Sequence, residues 1–94
     1  HEDAKMIAKK IFWDYFKADK IQNQSIAELM VDWGYNSGRV TVARRIQRIL
    51  NIPVDGVVGK VTLAAINKAN QAKLFQAIKD DRKAFIENLV RMDP

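Results

Sequence analysis

The chain of 94 residues contains no cysteine and a single histidine, His1. Without thiols it can build neither a disulfide framework nor a thiolate metal site, and one imidazole does not make a histidine zinc site. The same absence leaves the cellular compartment undetermined. No apolar run approaches the roughly 20 residues that a membrane-spanning helix requires, and no charged, apolar and cleavable segments of a secretory leader open the sequence. Alternating strand patterns are missing as well, apart from brief extended pieces at residues 52–54 or 57–58. Internal repeats, low-complexity tracts and linkers are also absent.

What is present is a soluble-globule composition, 48% hydrophobic and 29% charged, which excludes a disordered reading. A chain of this size buries only about 60–65% of its unfolded surface, so its core is marginal and a partner segment is expected. It begins at His1-Glu2-Asp3-Ala4 without Met, and it is expected to be a piece or a processed form of a longer protein. A net charge of +5 favours anionic partners: nucleic acid, acidic lipid, or a cell wall carrying peptide-stem carboxylates. A merely solvated basic surface accounts for it equally well.

Helical spacing dominates the apolar residues, and the expected fold is all-α with five helices in one domain over residues 1–94. Ala4, Ile7, Ala8, Ile11 and Tyr15 predict a first helix from Asp3 to about Phe16, with Glu2 and Asp3 where a helix start favours negative charge. Met6 and Trp13 lie on its opposite side, so more than one of its faces needs cover. Ser25-Ile26-Ala27-Glu28 has the form of a capping box and predicts a second helix beginning at Ser25 and ending near Asn36-Ser37-Gly38. Val42, Ala43, Ile46, Ile49 and Leu50 define a third, with Arg44, Arg45 and Arg48 on its other side. Leu63, Ala64 and Ile66 suit a short fourth helix ending at about Asn67 or Asn70, and Leu74, Phe75, Ile78, Phe85, Ile86 and Leu89 a fifth from Gln71 to about Val90.

Between the third and fourth helices lies the one long stretch of turn chemistry, Asn51 to Gly59. Pro53 keeps Ile52 out of helical geometry, Asp55 can accept bonds from the amides that follow it, and Gly56 and Gly59 suit a backbone that bends where a side chain would resist. A purely structural turn, with Gly56 or Gly59 in a left-handed conformation, is one reading of this stretch.

Chemistry has fewer markers. The carboxylates Glu2, Glu28, Glu87, Asp14, Asp32 and Asp55 have structural explanations as helix-start charge, capping partner, exposed helix residue or turn former, and none forms a marked catalytic pair. Asp32 is the catalytic candidate among them because it adjoins Trp33, Tyr35 and Asn36. That stretch gathers aromatic faces and an amide near a helix end, which is how pyranose rings and their hydroxyls are held; Trp33 also fits a core position at helical spacing from Met30. Gln47 either bonds a loop amide or faces water. The glycan-binding candidates are therefore Trp33, Tyr35, Asn36 and Gln47, and no metal or cofactor is called for. Arg39, Arg44, Arg45 and Arg48, around a helix that follows another through a glycine turn, keep a nucleic-acid-binding domain as a third class of function.

The turn Asp55-Gly56-x-x-Gly59-x-x-Thr62-Leu63 looks like a signature of bacterial peptidoglycan-binding helical modules. In order along the chain, Trp13-Asp14, Ile26-Ala27-Glu28 with Asp32 and Asn36-Ser37-Gly38, Ile46-Gln47, this turn, and Arg82 with Phe85 resemble glycoside hydrolase family 108, small N-acetylmuramidases also described as secretion activator proteins. The resemblance covers nearly the whole chain. It implies the C-terminal, peptidoglycan-binding part of a lysozyme-like fold that hydrolyses the β-1,4 bond between N-acetylmuramic acid and N-acetylglucosamine, in the cell wall, the periplasm or secreted. The catalytic glutamate of that family belongs to a Glu-Gly-Gly-Tyr motif, which this sequence lacks and which would precede His1. The implied partners are peptidoglycan glycan strands and the N-terminal half of the same protein, or a second copy of the chain, covering Met6 and Trp13. A non-catalytic wall-binding module or a scaffold is the alternative.

Overall fold

The computed structural model describes residues 10–92, with side chains through residue 88. Among these residues there are five α-helices and no strands: α1 (residues 10–15), α2 (Gln24–Ser37), α3 (Arg39–Leu50), α4 (Lys60–Lys68) and α5 (Gln71–Met92), with a 3-10 helix at Ala18–Lys20. The all-α expectation and the position of the long turn between the third and fourth helices both hold. The expected start of the first helix and Met6 lie outside the described residues.

Apolar spacing on each helix closes into one core. Phe16, Ile21, Ile26, Met30, Trp33, Val42, Ile46, Ile66 and Ile78 are all buried, contributed by α2 to α5 and the loop before α2. Helix α2 lies centrally, packing on α3, α5 and the 3-10 helix. Trp33 is fully buried and meets the Phe85 ring edge-on at 6.1 Å between centroids. Burying an aromatic of this size dominates the energetics of a small core. A bidentate pair ties α3 to α5, with Arg45 Nε and Nη2 donating to the Asp81 carboxylate at 2.7 and 2.8 Å. The Asp81 carboxylate holds the Arg45 guanidinium even more firmly protonated than usual.

Two local features depart from expectation. Helix α2 starts earlier than Ser25: Asn23 is its N-cap, its Oδ1 accepting from the amides of Ser25 and Ile26 at 3.0 and 3.2 Å, so the expected capping box does not form. Asn caps as well as Ser, and here the loop fixes its place, because Gln24 Nε2 donates back to the carbonyls of Ala18 and Ile21. Gly34, inside α2, is where the Phe16 ring crosses the helix; a Cβ there would lie 2.6 Å from Phe16 Cε2.

The corner between α2 and α3 is a single residue. Gly38, at φ 97° and ψ 130°, ends α2 by donating to the Gly34 carbonyl and opens α3. Further amides clamp the other junctions. Asn67 Nδ2 donates to Lys20 O and its Oδ1 accepts from Gln22 N, which fastens the end of α4 to the loop before α2.

Candidate functional site

Two groups of residues singled out by sequence can be placed, the Asp55 to Thr62 turn and the aromatic stretch of α2.

The turn is organised by one side chain. Gln47, on the face of α3 toward the core, is fully buried. Its Oε1 accepts from the amides of Asp55 and Gly56 at 3.0 and 2.9 Å, and its Nε2 donates to Asp55 Oδ1 at 2.8 Å, Val57 O at 3.0 Å and Thr62 Oγ1 at 3.1 Å. Asp55 Oδ1 also accepts from Val57 N at 2.9 Å. The Val57 amide, and then the Gln47 amide, hold the Asp55 carboxyl below the ordinary aspartate range, because both donate to its charged form. Gly56 has φ 77°, the left-handed region, and a Cβ on it would meet Val40 Cγ1 at 3.0 Å. Gly59 has φ −107° with nothing within 4 Å of a Cβ, so of the two glycines only Gly56 occupies the left-handed region.

Residues far away in sequence close the outside of the turn. Tyr15 Oη donates to the Gly56 carbonyl, and Lys17 Nζ donates to the Val58 carbonyl at 2.8 Å. Lys17 takes a left-handed conformation, φ 50° and ψ 47°, which reverses the chain after α1. Nothing in the spacing of the sequence marks Tyr15 or Lys17 for this role, since each partner lies 41 positions away.

The α2 stretch divides by face. Trp33 points into the core, and with Gln47 it presents no surface, so these two of the four glycan-binding candidates are structural: the ring fills the core and the amide braces the turn. Tyr35 and Asn36 are exposed and Asp32 is half-exposed. Asn36 Nδ2 donates to the Asp32 carbonyl at 2.9 Å, one turn back along the helix. The Tyr35 ring, 41% exposed, meets Phe12 edge-on at 5.6 Å. The Arg39 guanidinium lies 5.2 Å from the Tyr15 ring centroid and 6.0 Å from that of Phe12. Tyr15 thus joins the two groups, touching the turn through its hydroxyl and Arg39 through its ring.

Two other carboxylates are occupied. Asp14 and Asp19 share a shallow cleft beside Trp13, where Asp14 pairs with Lys10 at 3.2 Å and Asp19 accepts from Trp13 Nε1 at 2.8 Å. Trp13 is half-buried through these contacts. Among the described residues no group of three His, Cys, Asp or Glu could hold a metal ion, and no helix is long and apolar enough to cross a membrane.

The network around Gln47, Asp55 and Thr62 is the structural content of the turn signature, and it lies inside the region matched by a known family. The model of the predicted peptidoglycan domain family matches residues 41–94. The chain belongs to that family. No curated protein matches it. In this predicted peptidoglycan domain the match takes in most of α3, the turn, α4 and α5, while Asp32, Tyr35 and Asn36 on α2 lie outside it.

Proposed function

We propose that the chain recognises peptidoglycan as the C-terminal half of a lysozyme-like muramidase, and that the open face of α2 is where it meets glycan. The observation that carries this reading is the half-exposed Tyr35 ring, edge-stacked on Phe12 beside Arg39 and next to the Asn36 amide, in a chain of the predicted peptidoglycan domain family. An aromatic ring supported from behind offers a rigid surface to the C–H face of a pyranose, and the neighbouring amide and guanidinium supply donors for hydroxyls and carboxylates. The Asp55 to Thr62 turn acts as scaffold, since Asp55 Oδ1, the amides of residues 55–57 and the Thr62 hydroxyl are spent on Gln47 and on one another.

Hydrolysis in this reading belongs to the longer protein. Glycosidases set two carboxyl groups, or a carboxyl and a positioned water, across the scissile bond at separations of roughly 5–9.5 Å. The half-exposed Asp32 is the group on this chain that would supply the second carboxylate. Turnover of purified peptidoglycan by the longer protein carrying Asp32→Asn is then expected to collapse, and activity near that of the unaltered protein removes Asp32 from the mechanism.

Sedimentation with insoluble peptidoglycan tests recognition itself. The chain is expected in the pellet, and a chain that stays in the supernatant leaves the domain a scaffold. The nucleic-acid reading is weakened by the engagement of Arg45 with Asp81 and of Arg39 with two aromatic rings.

A further inference from the structure

A second surface lies away from the aromatic face. Between α2 and α5 runs an open cleft of about 440 Å³, lined by Leu29, Lys79, Arg82, Lys83, Ile86 and Glu87. Residues 79, 82, 83 and 86 follow the i, i+3, i+4, i+7 spacing and so share one face of α5. The floor is apolar: Leu29 is half-buried and Ile86 is 44% exposed. The walls carry three cations against the single carboxylate of Glu87. Lys79 is braced over the Phe75 ring, its Nζ 5.4 Å from the centroid, whereas Arg82 and Lys83 form no ion pair with a carboxylate among the described residues. The contrast with Arg45, which is locked to Asp81, the residue directly before Arg82, is direct.

From this we infer that the α2–α5 cleft binds the peptide stem of the cell wall, a short peptide that combines small apolar side chains with several carboxylates. The inference rests on the wall-recognition reading above, and it adds a second ligand chemistry at a separate place. Charge complementarity selects the occupant: a neutral glycan gains nothing from Lys79, Arg82 and Lys83, whereas a stem supplies carboxylates for the three cations and alanine methyls for Leu29 and Ile86. The cleft is shallow and solvent-exposed, so each ion pair contributes modestly, and binding is weak and salt-sensitive. A wall presents many stems on one polymer, and weak sites gain from such multivalency.

The test is titration of the isotopically labelled chain with an N-acetylated alanyl-γ-glutamyl-diaminopimelyl-alanine peptide, followed by amide shifts. Shifts centred on Leu29, Lys79, Lys83 and Ile86 are expected, with affinity falling as salt rises. The double variant Arg82→Glu/Lys83→Glu, its melting temperature checked, is expected to bind the peptide roughly ten-fold more weakly. Absence of peptide binding, shifts centred elsewhere, or equal affinity in the double variant overturns the inference. Tighter binding of duplex DNA than of the peptide at the same cleft overturns it as well. Oligomers of N-acetylglucosamine, which carry no carboxylate, separate the two readings: oligomers that bind with shifts at Tyr35 and Asn36 while the peptide does not leave recognition by α2 standing and remove the cleft, and the reverse result keeps the cleft and removes the α2 face.

Discussion

The turn after α3 and the open face of α2 are built in opposite ways. In the turn every polar group of Gln47, together with Asp55, Thr62 and the amides of residues 55–57, is used inside the molecule. On α2 the Tyr35 ring and the Asn36 side chain remain at the surface, the ring supported by Phe12. A recognisable sequence signature therefore marks the part of this domain that holds shape. The part available for contact carries a weaker pattern, because an exposed side chain need satisfy nothing within the fold.

The sharpest way to break this comparison is to remove the hub of the turn. Gln47→Ala leaves buried partners unpaired and is expected to destabilise the domain by about 2–4 kcal/mol. Thermal unfolding should register it as a fall in Tm of roughly 10 °C or more, since about 1 kcal/mol corresponds to 4–8 °C in a domain of this size. A Tm within a degree or two of the parent would mean that the network contributes nothing.

Glycine substitutions rank next. Gly34→Ala drives a methyl into the buried Phe16 ring and is expected to cost about 1–3 kcal/mol. Gly56→Ala adds a Cβ in the left-handed region against Val40 and should cost about 1–2 kcal/mol, whereas Gly59→Ala, in extended backbone with open space, should stay within about 0.5 kcal/mol. Urea midpoints measured on the two turn variants give the contrast directly, and equal losses would contradict the assigned conformations.

Acid sharpens the comparison further. The carboxyl of Asp55 is held below its ordinary value of about 3.9, so the stability it contributes is fully present above that pH and is lost as pH falls through the lower folded value. Asp55→Asn keeps an acceptor for the Val57 amide and removes the titration. The parent should be the more stable at about pH 6, with the gap closing as pH falls through the lowered folded value. A gap that does not change with pH would sever the carboxylate charge from the turn.

Much of the fold was legible because core-facing apolar residues repeat at helical spacing on α2 to α5, and because Pro53, Asp55 and Gly56 punctuate the chain where α3 ends. The cap of α2 was less so, since Asn23 and Ser25 are both capping residues and the contacts of Gln24 with the preceding loop decide between them. Gly34 gave no local sign of its purpose, which depends on Phe16 arriving from another segment. At the site, the spacing put Trp33 and Tyr35 in the same cluster, and only the packing of α2 sends one ring inward and leaves the other at the surface. The link from Tyr15 to Gly56 spans 41 positions and has no periodic signal at all.

A small expected change in stability carries the largest consequence for function. Tyr35→Ala removes a half-exposed ring and should shift stability by no more than about 0.5 kcal/mol. Sedimentation of this variant with insoluble peptidoglycan, alongside the parent and with Tm recorded for both, tests the division between scaffold and contact face most directly. The account predicts a parent in the pellet and a folded Tyr35→Ala chain largely in the supernatant; a folded variant that pellets as fully as the parent would contradict it.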